Sequence, residues 1–527
     1  MPKIVTAAEA VKLIPDGATI AVNSSSGLCC PDAVLKALGE RFDREGHPRG
    51  LHMLHPIAAG DMFGIKGIEH LAKPGAGMLA SIIGGSFPSG PSTAEPPKIW
   101  QMITANEIPA YNVPSGIMLD LLREAAAKRP GVITKDGLDT FVDPVNEGCA
   151  MNARAAAVPI VRKIAFEGDD WLFFPSIVPQ VAILRGSICD ERGNVSFEQE
   201  GAYLGAMEVA MAVHNNGGMV IVQVRQVAEN ETIKPHQVRV PGILVDYIVE
   251  APDQWQTTQT PYDPAISGEV FRPLSSFSLM EFGTGKAIAR RVAQELKAGW
   301  AVNLGFGVSA NVPRIFIEEG LHGKATWVIE QGAVGGVPLL DFQFGCSSNA
   351  EAYVPSAYQF TYFQAAGFDC SLLSFLQIDS NGSVNVSKLG VRPHVTAGAG
   401  GFVDITTRAK KIVYSGFYNA GAKMEIADGK LKIDKEGKVR KLVKEVEQIS
   451  FSGRRGVKQG QDVTYVTERC VLKLTPGGVV VTEIAPGVEL QSNILDQAEF
   501  PVIVSPQLKL MEAGLFRPEA MGLKLHD

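Results

Sequence analysis

Short apolar runs alternate along most of this chain with stretches whose apolar residues recur every three to four positions. Runs such as 218–224 (GMVIVQV), 325–329 (ATWVI) and 411–414 (KIVY) have the length and β-branched content of buried strands. Segments such as 33–42 (AVLKALGERF) and 287–296 (AIARRVAQEL) carry the helical period. Their alternation predicts an α/β protein with open, largely parallel sheets and helices on both faces. In such sheets ligands bind beyond the carboxyl ends of the strands, so residues at those ends are the first candidates for chemistry.

The same pattern occurs twice. Residues 181–198 (VAILRGSICDERGNVSFE) and 371–389 (SLLSFLQIDSNGSVNVSKL) each place a strand before an Asp, a glycine three residues on, and a second short strand ending near Ser196 or Ser387. Upstream, 20–31 (IAVNSSSGLCCP) and 301–313 (AVNLGFGVSANVP) both read as strand, Asn, small-residue loop and proline at a helix start. Duplication of one α/β unit accounts for both matches. It predicts two related domains, 1–255 and 276–527, with the active site between them. A linker at 256–275 overlaps the polar, Pro- and Thr-rich stretch 250–273. Near the end, Pro476-Gly477-Gly478 between two apolar runs signals a hairpin.

Composition narrows the function classes. With 46% hydrophobic and 20% charged residues the chain reads as an ordinary globular protein, and it contains no run near the roughly 18 to 20 apolar residues of a membrane span. The N-terminus lacks the basic and apolar regions of a secretory signal, so a cytoplasmic protein without a membrane partner is expected. The net charge of -7 is dispersed, and the one basic block, 429–440, is interrupted by Asp434 and Glu436, which argues against nucleic acid as a partner. Cysteines at 29, 30, 149, 189, 346, 370 and 470 mostly sit in apolar runs without a C-x-x-C, the pattern of buried, reduced thiols. The close pair His52 and His55 has no acidic or cysteine neighbours, and no metal site is expected.

The sharpest local feature is 327–336 (WVIEQGAVGG), where an apolar run delivers Glu330 to its end and surrounds it with glycine. A glycine-rich loop precedes it. Gly305-Phe-Gly-Val-Ser-Ala310 fits G-x-G-x-x-A after a strand, with Glu330 twenty residues further on, which is the spacing of a dinucleotide fingerprint and its ribose-binding acid. A structural turn, or a loop for another phosphate-bearing ligand, explains the same residues. Pro313 falls where the fingerprint helix should be regular, which counts against a nicotinamide nucleotide. A second loop, 397–406 (AGAGGFVDIT), frees backbone N–H groups to face an anion or a developing oxyanion. Gly283-Thr-Gly-Lys286 imitates a P-loop but has Met280 and Ala287 where Gly and Ser or Thr are needed, and is set aside. Glu330 suits covalent catalysis if it stays ionised near its usual pKa of about 4.3, with its glycines giving a substrate carbonyl clearance to within about 3.5 Å.

These residues, in order along essentially the whole chain, resemble those of the class I (family I) coenzyme A-transferases, most closely the fused single-chain propionate/acetate type. The stretches that carry the resemblance include NEIPAYNVPSGIMLDLLREAAAKRPG (106–131), DERGNVSFE (190–198), VNLGFGVSANVP (302–313), EQGAVGG (330–336), AGAGGFVDIT (397–406) and EIAPGV (483–488). The resemblance implies a CoA-transferase acting between a short-chain acyl-CoA and a free carboxylate, with Glu330 as nucleophile and ping-pong passage through an acyl-glutamyl anhydride and glutamyl-CoA. It places oxyanion donors at Gly400 and Gly401, and at Ser115, which stands in Pro114-Ser115-Gly116 where succinyl-type relatives have a Gln. It places CoA against Asn303, Gly305, Gly307, Gly398 and Gly401. Lys388, Arg392 and Arg454 are candidates for the 3'-phosphate. Residues 23–30 (NSSSGLCC) depart from the family's Gly-Gly-Phe type loop near the acyl pocket, so the acid accepted can differ from acetate or propionate. Coenzyme A is then a substrate with no tightly bound cofactor, and a homo-oligomer, dimer or tetramer, is expected. An acyl-CoA hydrolase, a nicotinamide-dependent dehydrogenase and a non-catalytic acyl-CoA sensor are the alternatives.

Overall fold

The computed structural model describes residues 1–390 and 392–525. The N-terminal half builds an eight-stranded sheet in the order Lys3–Ile4, Tyr247–Glu250, Met219–Val224, Val181–Arg185, Thr19–Val22, Leu51–His55, Leu79–Gly84, Ala110–Asn112. Every neighbouring pair in it is parallel. The C-terminal half builds a ten-stranded sheet whose central strands, Thr326–Val328, Ala301–Leu304, Cys370–Ser374, Lys411–Ser415 and Asp462–Val466, are parallel. Antiparallel strands extend it on both sides, including the hairpin Cys470–Thr475 and Gly478–Ile484 anticipated at Pro476-Gly477-Gly478.

The duplication read from the sequence is present in the topology. Thr19–Val22 lies between Leu51–His55 and Val181–Arg185, followed by Met219–Val224 and Tyr247–Glu250; Ala301–Leu304 has the equivalent neighbours in the same order. The Asp-x-x-Gly turns match in detail. Asp190 accepts from the backbone N–H of Arg192 and Asn194, and Asp379 from those of Asn381 and Ser383, with Gly193 and Gly382 at φ 90° and 76°. A carboxylate that accepts from its own following amides needs a left-handed residue to turn the chain back, which glycine supplies.

The parallel sheet of the first half is covered on both faces because alternate residues of its strands are all apolar. Ile20, Val22 and Ile183 enter one core with the helix Asp32–Glu45, while Ala21, Ala182 and Leu184 enter another with the helices Ser115–Ala126 and Ala206–His214. The second core also takes in Leu339, Cys346, Ala399 and Val403, so the halves share it. Residues 256–266, within the stretch read as a linker, are packed. Gln256, Ala265 and Ile266 are buried, Thr258 bonds Asp61 of the first half, and Ile266 O accepts from Tyr353 of the second at 2.5 Å. All seven cysteines are free and buried. The basic block folds as the hairpin Lys423–Ala427 and Lys430–Lys435, where Lys432 pairs with Glu425 and Asp434.

Candidate active site

Glu330 stands on a tight turn. Strand Thr326–Val328 reverses into Ala333–Val334, and the turn closes through Gly332 N–H to Ile329 O at 2.9 Å and Ile329 N–H to Ala333 O at 3.0 Å. The carboxylate is thereby carried beyond the carboxyl end of a parallel strand, where the fold class predicts chemistry. The glycines that follow serve this turn. Gly332, Gly335 and Gly336 have φ of 114°, 73° and 70°, and side chains there would run into the Val354 carbonyl, Glu351 and the Ser348–Asn349 backbone. The expectation that they clear a path for ligand is therefore corrected: their open sides face residues 348–354.

Clearance comes from the other glycine loop. A Cβ on Gly401 would run into the Glu330 carboxylate and the Phe360 ring, and one on Gly400 would lie 3.9 Å from Glu330 Oε1. The Gly401 N–H faces the carboxylate, and Gln331 Nε2 donates to Oε1 at 3.2 Å. Enclosure by protein pushes Glu330 up to about 7, and these two donors pull against that rise without offsetting it. The expected ordinary carboxylate near 4.3 is thus corrected, because desolvation outweighs the hydrogen bonds. Glu330 as a whole residue is half-buried.

The N-terminal half supplies the opposite wall, from the carboxyl ends of its own strands. Gly400 N–H donates to Gly85 O at 2.8 Å, Ser115 N–H to Gly400 O at 2.9 Å and Phe87 N–H to Ala397 O at 2.7 Å. Asn112, which ends its strand, accepts from Ala399 N–H at 2.8 Å, and a Cβ on Gly398 would press on its amide. Gly398 and Gly400, at φ 89° and 54°, let the loop follow this wall. Asp404, fully buried, accepts from Gly116 N–H at 2.9 Å and from Gln364 Nε2 at 3.2 Å. Its carboxyl is raised well above the usual range by burial and by the neighbouring Asp136. From the loop 23–30, Ser25 Oγ accepts from Gln331 Nε2 at 3.2 Å.

Ser115, Gly398, Gly400, Gly401 and Glu330 are therefore brought together. Of the two amides in the Gly-Gly pair, that of Gly400 is engaged with Gly85, and that of Gly401 faces Glu330. Among the described residues, Ser115 Oγ is buried without a partner. Asn303 differs from expectation. It is fully buried between strands, with Nδ2 donating to Val328 O at 3.2 Å and Oδ1 accepting from Ser371 Oγ at 2.9 Å, so it braces the strand leading to Glu330. Gly305 and Gly307 leave the neighbouring strand end; a Cβ on them would press on Leu373 and Ser374 respectively, and the exposed Phe306 lies between them. The chain then passes through the 3-10 turn Val308–Asn311 before the helix Val312–Glu318, with Pro313 in its first turn. A dinucleotide fingerprint needs the helix to start at the third small residue, so this geometry removes its phosphate-binding helix end. Lys286 of the rejected P-loop is buried against Glu318 at 2.7 Å. Among the basic candidates, Lys388 pairs with Glu147 at 3.0 Å, Arg454 Nε donates to Asn381 Oδ1 at 3.3 Å and Arg392 is exposed.

Sequence reasoning missed Asn112, Phe360 and Asp404 as parts of the site, and it passed over Gln331 as a mere neighbour of the carboxylate. The strand-ending Asn112, after AY and before VPSG, carried the one available signal, since a polar residue closing an apolar strand marks the ligand end of a parallel sheet.

The family described as coenzyme A transferase matches residues 4–251, and the chain is 42% identical to the caffeate CoA-transferase of Acetobacterium woodii over 99% of both chains. It is 36% identical to the acetate CoA-transferase YdiF of Escherichia coli over 99% of this chain and 97% of that one. The crystal structure of the acyl-CoA transferase YdiF apoenzyme from Escherichia coli O157:H7 superposes with a TM-score of 0.90 at 36% identity, covering 99% of this chain and 98% of that chain. A thioester complex of the same enzyme with CoA gives 0.89 at 35% identity, over 99% and 98%. The chain belongs to the coenzyme A-transferase family, as a single-chain enzyme that moves CoA between an acyl-CoA and a carboxylate.

Proposed function

We propose that the exchange is a ping-pong reaction with Glu330 as covalent nucleophile. The observation that carries this reading is the Glu330 carboxylate held against the Gly401 backbone where the two halves meet. One carboxylate oxygen attacks the thioester carbonyl carbon, the carbonyl electrons move onto oxygen, and collapse expels the CoA thiolate to leave an acyl-glutamyl anhydride. The thiolate then attacks the glutamyl carbonyl and expels the acyl group as a carboxylate, leaving glutamyl-CoA. An incoming acid reverses these steps. Anhydride and thioester are both activated acyl groups, so activation is conserved without a further cofactor. The enclosure behind the pKa of about 7 supports the partial exclusion of water that such intermediates require, and a more basic carboxylate is a stronger nucleophile once ionised.

Each carbonyl addition creates an oxyanion, and one preorganised donor is typically worth about 2.7 to 4 kcal/mol. Gly401 N–H is the donor in the second half. The unpartnered Ser115 hydroxyl is the donor in the first, with Gly400 joining the two through its carbonyl. Gly305, Gly307, Gly398 and Gly401 line the approach of CoA. In this reading residues 1–255 carry the acid-binding side, 256–275 the connection and 276–527 the nucleophile, and the enzyme works as a cytoplasmic homo-oligomer, dimer or tetramer. The donor is a short-chain acyl-CoA. The relatives' names, caffeate and acetate, span very different acids, and the loop 23–30 that touches Gln331 is the element that selects among them. A panel of short-chain and aryl carboxylates against one acyl-CoA reads that choice.

The test is incubation with acyl-CoA followed by hydroxylamine or borohydride and peptide mapping. Modification at Glu330 is expected; an unmodified Glu330 in enzyme that exchanges CoA overturns the reading. Acyl-CoA loss without an acceptor acid, compared with transfer in its presence, separates transfer from hydrolysis.

A further inference from the structure

We propose that the side-chain amide of Gln331 is a further oxyanion donor, acting on the glutamyl carbonyl itself, and that the loop 23–30 aims it. The inference rests on Glu330 as acyl acceptor and concerns a different carbon from the one served at the substrate thioester. During exchange the glutamyl carbon is attacked in its turn. Thiolate sulfur forms a C–S bond, the carbonyl electron pair moves onto the remaining glutamyl oxygen, and collapse breaks the bond to the bridging oxygen and releases a carboxylate. That remaining oxygen needs a donor already in place, because a donor that must reorient at the moment of reaction contributes little.

Gln331 meets this need geometrically. Its Nε2 lies 3.2 Å from Glu330 Oε1, while Gly401, whose N–H faces the carboxylate, packs at Oε2, the oxygen that a Cβ there would meet. The amide is fixed from three directions. Ser25 Oγ accepts from the same Nε2 at 3.2 Å, Ser356 Oγ donates to the Gln331 backbone carbonyl at 3.1 Å, and Gly345, at φ 102°, packs so closely that a Cβ would lie 2.9 Å from Gln331 Cγ and Cδ. Gln331 is 3% exposed, and among the described residues its Oε1 has no partner. A buried amide with an unsatisfied acceptor costs free energy that packing alone does not repay, which is the mark of a group held for its other end. The Gly401-facing oxygen then becomes the bridging atom of the anhydride, and the Gln331-facing one stays the carbonyl oxygen. Because Ser25 belongs to the N-terminal loop, the donor is correctly aimed only when both halves are in register.

Gln331→Ala removes the donor, and Gln331→Glu keeps shape and packing while replacing it with an acceptor. Both are expected to lower kcat for exchange by about 10²- to 10³-fold, with KM for acyl-CoA changed less than about threefold, which reads retained folding and binding. Rapid-quench mass spectrometry of full-length enzyme should show glutamyl-CoA at Glu330 forming more slowly by the same factor. Ser25→Ala, which frees the aim but keeps the donor, should lower kcat by about tenfold or less. If the parent forms the adduct at Glu330 and the Ala and Glu variants form it at undiminished rates, the Gln331 proposal is overturned while Glu330 stands. If the parent forms no adduct there, the nucleophile reading fails first.

Discussion

The backbone N–H of Ser115 donates to the carbonyl of Gly400 at 2.9 Å, and this bond joins the head of a helix in one half to the glycine loop that meets Glu330 in the other. One residue along on each side, Gly116 N–H bonds Asp404 and Gly401 meets Glu330. The site is thus assembled at the seam, and displacement of either half displaces the groups around the carboxylate.

Glu330→Gln should abolish exchange to below about one part in 10³, since an amide cannot act as the nucleophile. Glu330→Asp, which withdraws the carboxylate by roughly 1.5 Å, should lose about 10²-fold or more. Steady-state exchange assays check both.

Burial raises Glu330 to about 7 from the ordinary 4.5, against the Gly401 and Gln331 donors. In the proposed mechanism the ionised form is the nucleophile, so kcat/KM should climb about tenfold per pH unit below 6 and level off above 8. Stability runs the other way. As pH rises from 4.5 to 7 the unfolded chain ionises this group freely and the native state does not, so the native state loses stability through that window. Glu330→Gln should therefore match the parent near pH 4 and exceed it by about 1–3 kcal/mol above pH 7 in urea titrations.

Gly401→Ala drives a methyl group at Glu330 and Phe360. It should cost about 1–3 kcal/mol of stability by overpacking and lower kcat about 10²-fold by misplacing the carboxylate. Unfolding and kinetics of the purified variant measure the two separately.

Asp404→Ala leaves the buried Gly116 N–H without its acceptor and should destabilise by about 1–3 kcal/mol. Asp404→Asn keeps an acceptor oxygen at that place, and most of the loss should be recovered in the same urea titration.

Asn303→Ala removes the side chain that ties the strand before Glu330 to Ser371. About 1–3 kcal/mol of stability should go with it. Its KM for acyl-CoA should stay within about twofold, because the side chain is fully buried with both ends of its amide taken by the sheet; a large rise in KM would restore it as a CoA contact.

Local patterns made much of this protein legible in its sequence. Apolar runs such as IAV at 20–22 and VAIL at 181–184 can be buried on both faces only in a parallel sheet, and the twin Asp-x-x-Gly turns at 190 and 379 need only their own backbone to form. Glu330 was visible for the same reason, since strand, turn and carboxylate lie within ten residues. The functions of the surrounding groups were not local. The glycines at 332, 335 and 336 read as clearance for a ligand until the residues at 348–354 appeared against them. Asn303 read as a ligand contact until its neighbours in the sheet took both ends of its amide. Contacts such as Gly401 on Glu330 or Ser25 on Gln331 join residues about 70 and 306 positions apart, and no spacing rule reaches so far. The sequence by itself determined the repeated α/β unit and the residue at the strand end, because short-range periodicity and turn chemistry suffice for both. Tertiary structure decided which amides face the carboxylate and how far burial raises its pKa, because desolvation is a property of everything packed around a group.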